Sequence, residues 1–256
     1  MDAVSAAERF IGPGEGTSES QWLGWLDAGG CMPDARVDDL VQGSRRVLLV
    51  APHPDDEVLA AGGLLAMLAA HRHDPLVITV TDGTASHPGS ALWPAERLRR
   101  ERPRESLEAL ARLGLPGATL RMQLPDGGLE AAEELLTRRL VDYIREGDTV
   151  VTTWRHDGHP DHEATGRACA RACERRDARL LEAPVWAWHW AHVDDARLPW
   201  GRARRLALDA RACAGKRHAV RAFASQLEAD PSTGAGPVLR HSMVARAMRP
   251  FEIFFV

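Results

Sequence analysis

From Arg45 to Trp186 this chain alternates short aliphatic, β-branched runs with longer stretches of helical periodicity, and that rhythm is compatible with few folds. The run Val47-Leu48-Leu49-Val50-Ala51, flanked by polar residues, has the pattern of a strand buried on both faces. The spacing then predicts a helix over about 57–72, a strand at Leu76–Thr81 and a helix over about 94–113 closed by Gly114. A strand near Thr119–Leu124, a helix over about 129–145, a strand at Thr149–Trp154, a helix from Pro160 to about 176 and a strand at Leu180–Trp186 complete the series. The fold class expected is α/β and Rossmann-like: one domain with a mostly parallel sheet and helices on both faces. Sheets of this kind hold ligands at the carboxyl ends of their strands, where the strand order reverses.

On either side of this series the signal is weaker. Residues 1–44 read as an N-terminal extension in which Trp22, Trp25 and Leu26, at helical spacing, lay a small apolar face on the domain formed by residues 45–256. Beyond residue 190 the pattern gives a polar loop, a helix over about 205–228, a Gly/Pro-containing loop and a final edge strand in Phe251–Val256. The alternation of Trp186, Trp188 and Trp190 places three indoles on one side of an extended segment. Such a surface suits a sugar ring, a core or a contact in a homo-oligomer, and Trp188 is the substrate-binding candidate.

Two polar clusters stand at predicted strand ends. Pro52-His53-Pro54-Asp55-Asp56-Glu57 follows the first strand, and His156-Asp157-Gly158-His159-Pro160-Asp161-His162-Glu163 follows the strand ending at Trp154. Three acids and a histidine at the end of a buried strand are costly unless a cation lies among them. Pro160 suits the first position of a helix, so His159 and His162 project near one another. His53, Asp55, Asp56, His159, Asp161 and His162 can therefore share one crevice, and two histidines with one carboxylate are a usual zinc set. A neighbouring carboxylate would take the proton of the metal's water, which implies metal-assisted hydrolysis of an amide or ester. Spacing alone leaves open which of Asp55 and Asp56 binds the metal.

These motifs resemble the PIG-L/LmbE-like deacetylases, zinc-dependent enzymes that remove N-acetyl groups from glucosamine-containing compounds. Ala51-Pro52-His53-Pro54-Asp55-Asp56-Glu57 and His159-Pro160-Asp161-His162 carry the resemblance, with Thr81-Asp82-Gly83, Arg102, Glu105, Ala109, Leu113-Gly114, Asp126-Gly127, and Lys216 through Ser225-Gln226. Position by position, it implies His53, Asp56 and His162 as metal ligands and Asp55 as the general base. His159 would stabilise the oxyanion or protonate the departing amine, and Asp161 would orient a histidine. The family's alanine stands directly before the first histidine, whereas here Pro52 intervenes. The tyrosine of some members is replaced by Asp157, so the proton donor passes to His159. Asp82 and Arg102 are further substrate-binding candidates, although Arg102 and Glu105 also suit an ion pair along a helix face. Lys216 reads as structural support. One Zn2+ per chain is implied, and Fe2+ suits the same donors.

Composition narrows the partners. A net charge of −4 gives no global basic field for nucleic acid, and 31 of the 32 basic residues are arginine because Lys216 is the sole lysine. The longest apolar stretch, the 13 residues Val58–Ala70, falls short of the roughly 20 needed to span a membrane. The N-terminus lacks the plan of a secretory signal, so the cytoplasm is expected. Cys31, Cys169, Cys173 and Cys213 are too scattered for a disulfide framework and read as small buried residues. The expected activity is removal of an N-acetyl group from a small glucosamine-containing metabolite or glycoconjugate precursor. The rivals are an amidase acting on a bulkier conjugate and a non-catalytic sugar-binding member of the fold. Specificity is expected in the loops 84–94, 187–204 and 229–241.

Overall fold

The computed structural model describes residues 9–28, 32–41, 43–117 and 119–256. Cys31 lies outside these residues, and the other three cysteines are free thiols. The parallel series begins with β2 (Val47–Ala51), preceded by α1 (Glu19–Asp27), β1 (Asp34–Ala35) and α2 (Val37–Val41). It continues through α3 (Asp56–Ala70), β3 (Leu76–Thr81), α4 (Ala95–Arg112), β4 (Thr119–Leu124), α5 (Leu129–Tyr143), β5 (Thr149–Thr153), α6 (Pro160–Arg176) and β6 (Arg179–Ala183). Every residue of β2 and of β5 is buried, as a strand covered on both faces requires. One eight-stranded sheet results, in the order β1-β7-β8-β6-β5-β2-β3-β4, where β7 is Ala203–Ala207 and β8 is Phe251–Phe255. The Rossmann-like α/β architecture expected from the alternation is therefore present.

Helices cover both faces. Leu64, Leu65 and Leu68 of α3 and Leu110 of α4 pack with Phe223 on one side, and Leu136 and Leu140 of α5 pack with Ala168 and Ala172 of α6 on the other. A third cluster joins Trp22 and Leu26 of α1 to Trp188, Trp154 and Phe255. α1 thus lays its apolar face on the body of the protein, and β1 extends the sheet by pairing with β7. No helix among the described residues is long and apolar enough to cross a membrane.

The C-terminal third departs from expectation in three ways. The predicted helix over 205–228 is the strand β7 followed by α8 (Ala210–Val220) and a short α9 (Ala224–Leu227). β8 is interior: it runs antiparallel between β6 and β7, so it is no edge. The tryptophan run is also not extended, because β6 stops at Ala183 and Ala187–Trp190 forms a one-turn helix, α7. The last helix, α10, is His241–Ala247.

Two neighbouring strands position the site. β2 pairs with β3 on one side and β5 on the other, so the loops after β2 and β5 leave the sheet where the strand order reverses. Gly166 seats α6 against the end of β5, since a Cβ there would lie 2.7 Å from the backbone of Thr153 and Arg155. With its first helical residue Pro160 and its N-cap His159, α6 delivers His162 to the crevice from that seat.

Candidate metal centre

The β2 loop places His53, Asp55 and Asp56 within one turn, and all three are buried. Asp55, the N-cap of α3, has φ 131° and ψ −33°, a backbone region that side-chain-bearing residues seldom occupy. Its N–H donates to Glu57 Oε2 at 3.0 Å, and Ser106 on α4 holds the other Glu57 oxygen at 2.5 Å. The strained turn is thus fastened from two sides. The His53 N–H donates to Asp56 Oδ2 at 3.1 Å.

Asp56 Oδ2 is the focus of the cluster. It lies 3.0 Å from His53 Nδ1 and 3.2 Å from His162 Nε2, and one donor atom from each of the three residues lies within 4.8 Å of the others. The far nitrogens have their own carboxylates. His162 Nδ1 is 2.8 Å from Asp157 Oδ2, while His53 Nε2 is 3.1 Å from Asp126 Oδ1 and 3.2 Å from Asp161 Oδ2. Asp157 also accepts the N–H groups of Val185, Trp186 and Ala187, each at 2.9 Å. Asp161 accepts those of Gly127 and Leu129 at 2.8 and 3.1 Å. With the far N–H of each ring donating to a fixed carboxylate, both rings turn a lone pair toward Asp56. Lone pairs facing a carboxylate oxygen are tolerable only with a cation or protons between them, and carboxylate-backed imidazoles of this kind are the usual setting of a metal ligand.

The electrostatics agree. Burial works against charge on His162, yet Asp56 and Asp157 push it up to about 9. Burial likewise opposes the ionised form of Asp56, but His162 and His53 hold it well below the usual carboxylate range. A divalent cation would replace the protons that these rings otherwise need. His53, Asp126 and Asp161 form a second group of donors within 4.8 Å. Both oxygens of Asp161 already accept main-chain N–H groups, so the first set, with two imidazoles and one carboxylate, fits a metal better.

Asp55 stands beside this set. Burial pushes its carboxyl up to about 7, while Arg102 works the other way. Arg102 donates to Asp55 Oδ2 at 3.1 Å, to Pro54 O at 2.7 Å and to Gly83 O at 2.9 Å. The ion pair with Glu105 is not made: Glu105 accepts the N–H and Oγ–H of Ser225 at 2.7 and 2.6 Å. Gly83 has φ 66°, and a Cβ there would meet the Arg102 guanidinium at 2.0 Å, so only glycine lets that side chain pass. His159 lies across the crevice, its ring 5.1 Å from His53 and 4.9 Å from His162. Burial, then the two neighbouring histidines, lower it to about 3, and its Nδ1 accepts the Asp161 N–H at 3.2 Å. It is a neutral imidazole whose free hydrogen is on Nε2.

A cavity of about 420 Å3 opens on these groups. It is lined by His53, Asp55, Asp56, His159, His162 and Arg102 together with an apolar wall. Two residues proposed from sequence to bind substrate lie outside it. Asp82 is ion-paired with Arg121 at 2.9 Å. Trp188 is buried against Trp22 at 4.9 Å between ring centroids, and the one-turn helix sends Trp186 to the cavity in its place. Loops 84–94 and 229–241 reach the cavity through Ala85, Ser86, Val238 and Leu239, whereas no residue of 187–204 lines it. Asp126 and Asp157 were not singled out as site residues. Their signal was available, an Asp-Gly pair after β4 and an acid two residues before His159.

A family model described as GlcNAc-PI de-N-acetylase (PIG-L) matches residues 48–173, which contain every candidate ligand. The chain is 31% identical over 195 residues to the 1D-myo-inositol 2-acetamido-2-deoxy-alpha-D-glucopyranoside deacetylase of Rhodococcus opacus, covering 66% of this chain and 65% of that protein. It is 31% identical over 140 residues to the probable N-acetyl-alpha-D-glucosaminyl L-malate deacetylase 2 of Bacillus cereus, covering 51% and 62%. The chain therefore spans just under two thirds of the length of these relatives. Among solved structures, the A40926 pseudoaglycone deacetylase superposes with a TM-score of 0.59 at 26% identity, over 82% of this chain and 96% of the other.

Proposed function

We propose that the chain, whose residues 48–173 match the PIG-L family, is a metal-dependent de-N-acetylase acting on a small glucosamine-containing metabolite or glycoconjugate precursor. The observation that carries this reading is the pair of buried, carboxylate-backed imidazoles, His53 and His162, turned toward Asp56 with Asp55 alongside. We assign the catalytic domain to residues 45–256 and the metal-ligand role to His53, Asp56 and His162. Zinc suits two imidazoles and a carboxylate, and its chemistry there is Lewis acidity toward the acetamide carbonyl and toward water.

The protein groups divide the remaining work. Asp55, balanced near neutrality, accepts a proton from the attacking water as the new C–O bond forms. The Nε2–H of His159 donates to the developing oxyanion, a role for a neutral imidazole that holds its hydrogen. As the C–N bond breaks, Asp55, in place of the His159 expected from the sequence, returns the proton to the nitrogen, because His159 is lowered to about 3 and holds no second proton; acetate and a free amine leave. Asp161 fixes the rings of His53 and His159, and Arg102 holds Asp55 in place instead of binding substrate.

Acetate release from a panel of N-acetylglucosaminides, measured with and without a chelator and again after adding zinc, tests the reading. Chelator-sensitive, zinc-restored release is expected. Absence of acetate from a protein that holds one metal per chain would sink the substrate assignment, and absence of metal would sink the site.

A further inference from the structure

The apolar wall of the cavity comes from parts of the chain far apart in sequence: Ile11 from the N-terminal segment, Trp186 after β6, Val238 and Leu239 from the loop before α10, and Met243 on α10. All five lie outside residues 48–173, the stretch matched by the family model. The N-terminal segment is strapped down for this task. Arg9, buried, pairs with Glu163 at 2.8 Å, Thr17 N–H donates to His189 O at 3.1 Å, and Glu15 accepts the Ser242 N–H at 2.7 Å.

Among the described residues lining the cavity, two buried polar atoms are unanswered, the Arg102 Nε–H and an oxygen of Gln226. Gln226 is fully buried, lines the cavity, and its Oε1 has no hydrogen-bond partner. Its orientation follows from its neighbour. Ser225 Oγ gives its only hydrogen to Glu105 at 2.6 Å, so it can only accept from Gln226, and the Gln226 nitrogen must face it, at 2.9 Å. The oxygen is left to accept a hydrogen bond. Arg102, the one arginine or lysine among the described residues lining the cavity, is already ion-paired with Asp55 through its Nη2. An anionic substituent would find the Arg102 charge already balanced by Asp55 and would meet the carboxylates of Asp55, Asp56 and Asp126.

We propose that this wall selects an N-acetylated substrate whose remaining part is uncharged, carries an apolar group against Ile11, Val238 and Met243, and donates a hydroxyl or N–H to Gln226 Oε1. The proposal rests on the deacetylase reading, and the test separates the two. N-acetylglucosaminides with hexyl, methyl and carboxymethyl aglycones are compared for acetate release, and the corresponding free glucosaminides are compared for equilibrium binding. The hexyl compound should exceed the methyl one by about tenfold or more in kcat/KM and in affinity, as several buried methylenes require, and the carboxymethyl compound should be the poorest. Val238→Lys, at a half-buried position that follows an exposed loop, should raise the carboxymethyl compound relative to the hexyl one; Ile11→Ala should narrow the hexyl preference. Equal handling of hexyl and methyl, or preference for carboxymethyl, overturns the proposal while acetate release upholds the chemistry. A hexyl preference in binding without any acetate upholds the wall and overturns the deacetylase reading; neither acetate nor preference overturns both.

Discussion

Asp55 combines a rare backbone conformation with a carboxyl poised near neutrality, and both arise from one turn. At φ 131° the residue costs on the order of 1–3 kcal/mol, which Glu57, Ser106 and Arg102 offset by holding its main chain and side chain. Asp55→Asn keeps the shape and the donor set intact, so metal content should be unchanged while kcat falls by about 100-fold or more; elemental analysis beside acetate kinetics checks this, and an active variant would remove Asp55 as the base. Asp157→Asn should act through His162. It turns an acceptor into an amide facing three main-chain N–H groups, and metal affinity should fall about 10- to 100-fold in a chelator competition. The six principal candidates were legible because each lies in a polar motif at the end of an apolar strand. Asp126 and Asp157 carry less signal, since their partners, His53 and His162, are fixed only by the fold. Trp188 was misread because alternation in sequence does not distinguish a strand from a single helical turn whose neighbours decide its shape.

At the scale of elements, the β/α series was readable because β2, β3 and β5 are short runs of aliphatic and β-branched residues separated by stretches of helical periodicity. β7 was not, since Ala203-Arg204-Arg205-Leu206-Ala207 has helical propensity and becomes a strand by pairing with β8. The Arg205 guanidinium lies 4.1 Å from the centroid of the Phe251 ring, a contact that exists only after pairing. β8 carries Glu252 into the interior, where it accepts the N–H groups of Gly63 and Leu64 at 2.6 and 2.8 Å and pairs with Lys216 at 2.7 Å. This carboxylate ties α3, α8 and the sheet together. Lys216→Met removes the one charged partner of Glu252 among the described residues and should destabilise the fold by about 3–5 kcal/mol in chemical denaturation. Adding Glu252→Gln should recover part of that loss, and a single variant as stable as the parent would show that the two N–H groups suffice.

Across the whole molecule, the groups proposed to do chemistry lie at two adjacent strand ends between residues 53 and 162, and the cavity wall is drawn from both flanks. The arrangement lets the reacting centre stay rigid on the sheet while loops and the N-terminal segment shape what approaches it. The buried Lys216 has a practical consequence of another kind. It is the only side-chain amine in the chain, is 3% exposed, and is engaged by Glu252 and the Leu59 carbonyl. Amine-acylating reagents should therefore leave the side chains of the folded protein untouched and label position 216 only when α3, α8 and β8 separate. Rapid labelling under native conditions, read by peptide mass, would contradict the enclosure. Otherwise a single covalent tag becomes a clock for opening of the core, and coupling through side-chain amines to a surface or dye will report unfolded molecules alone.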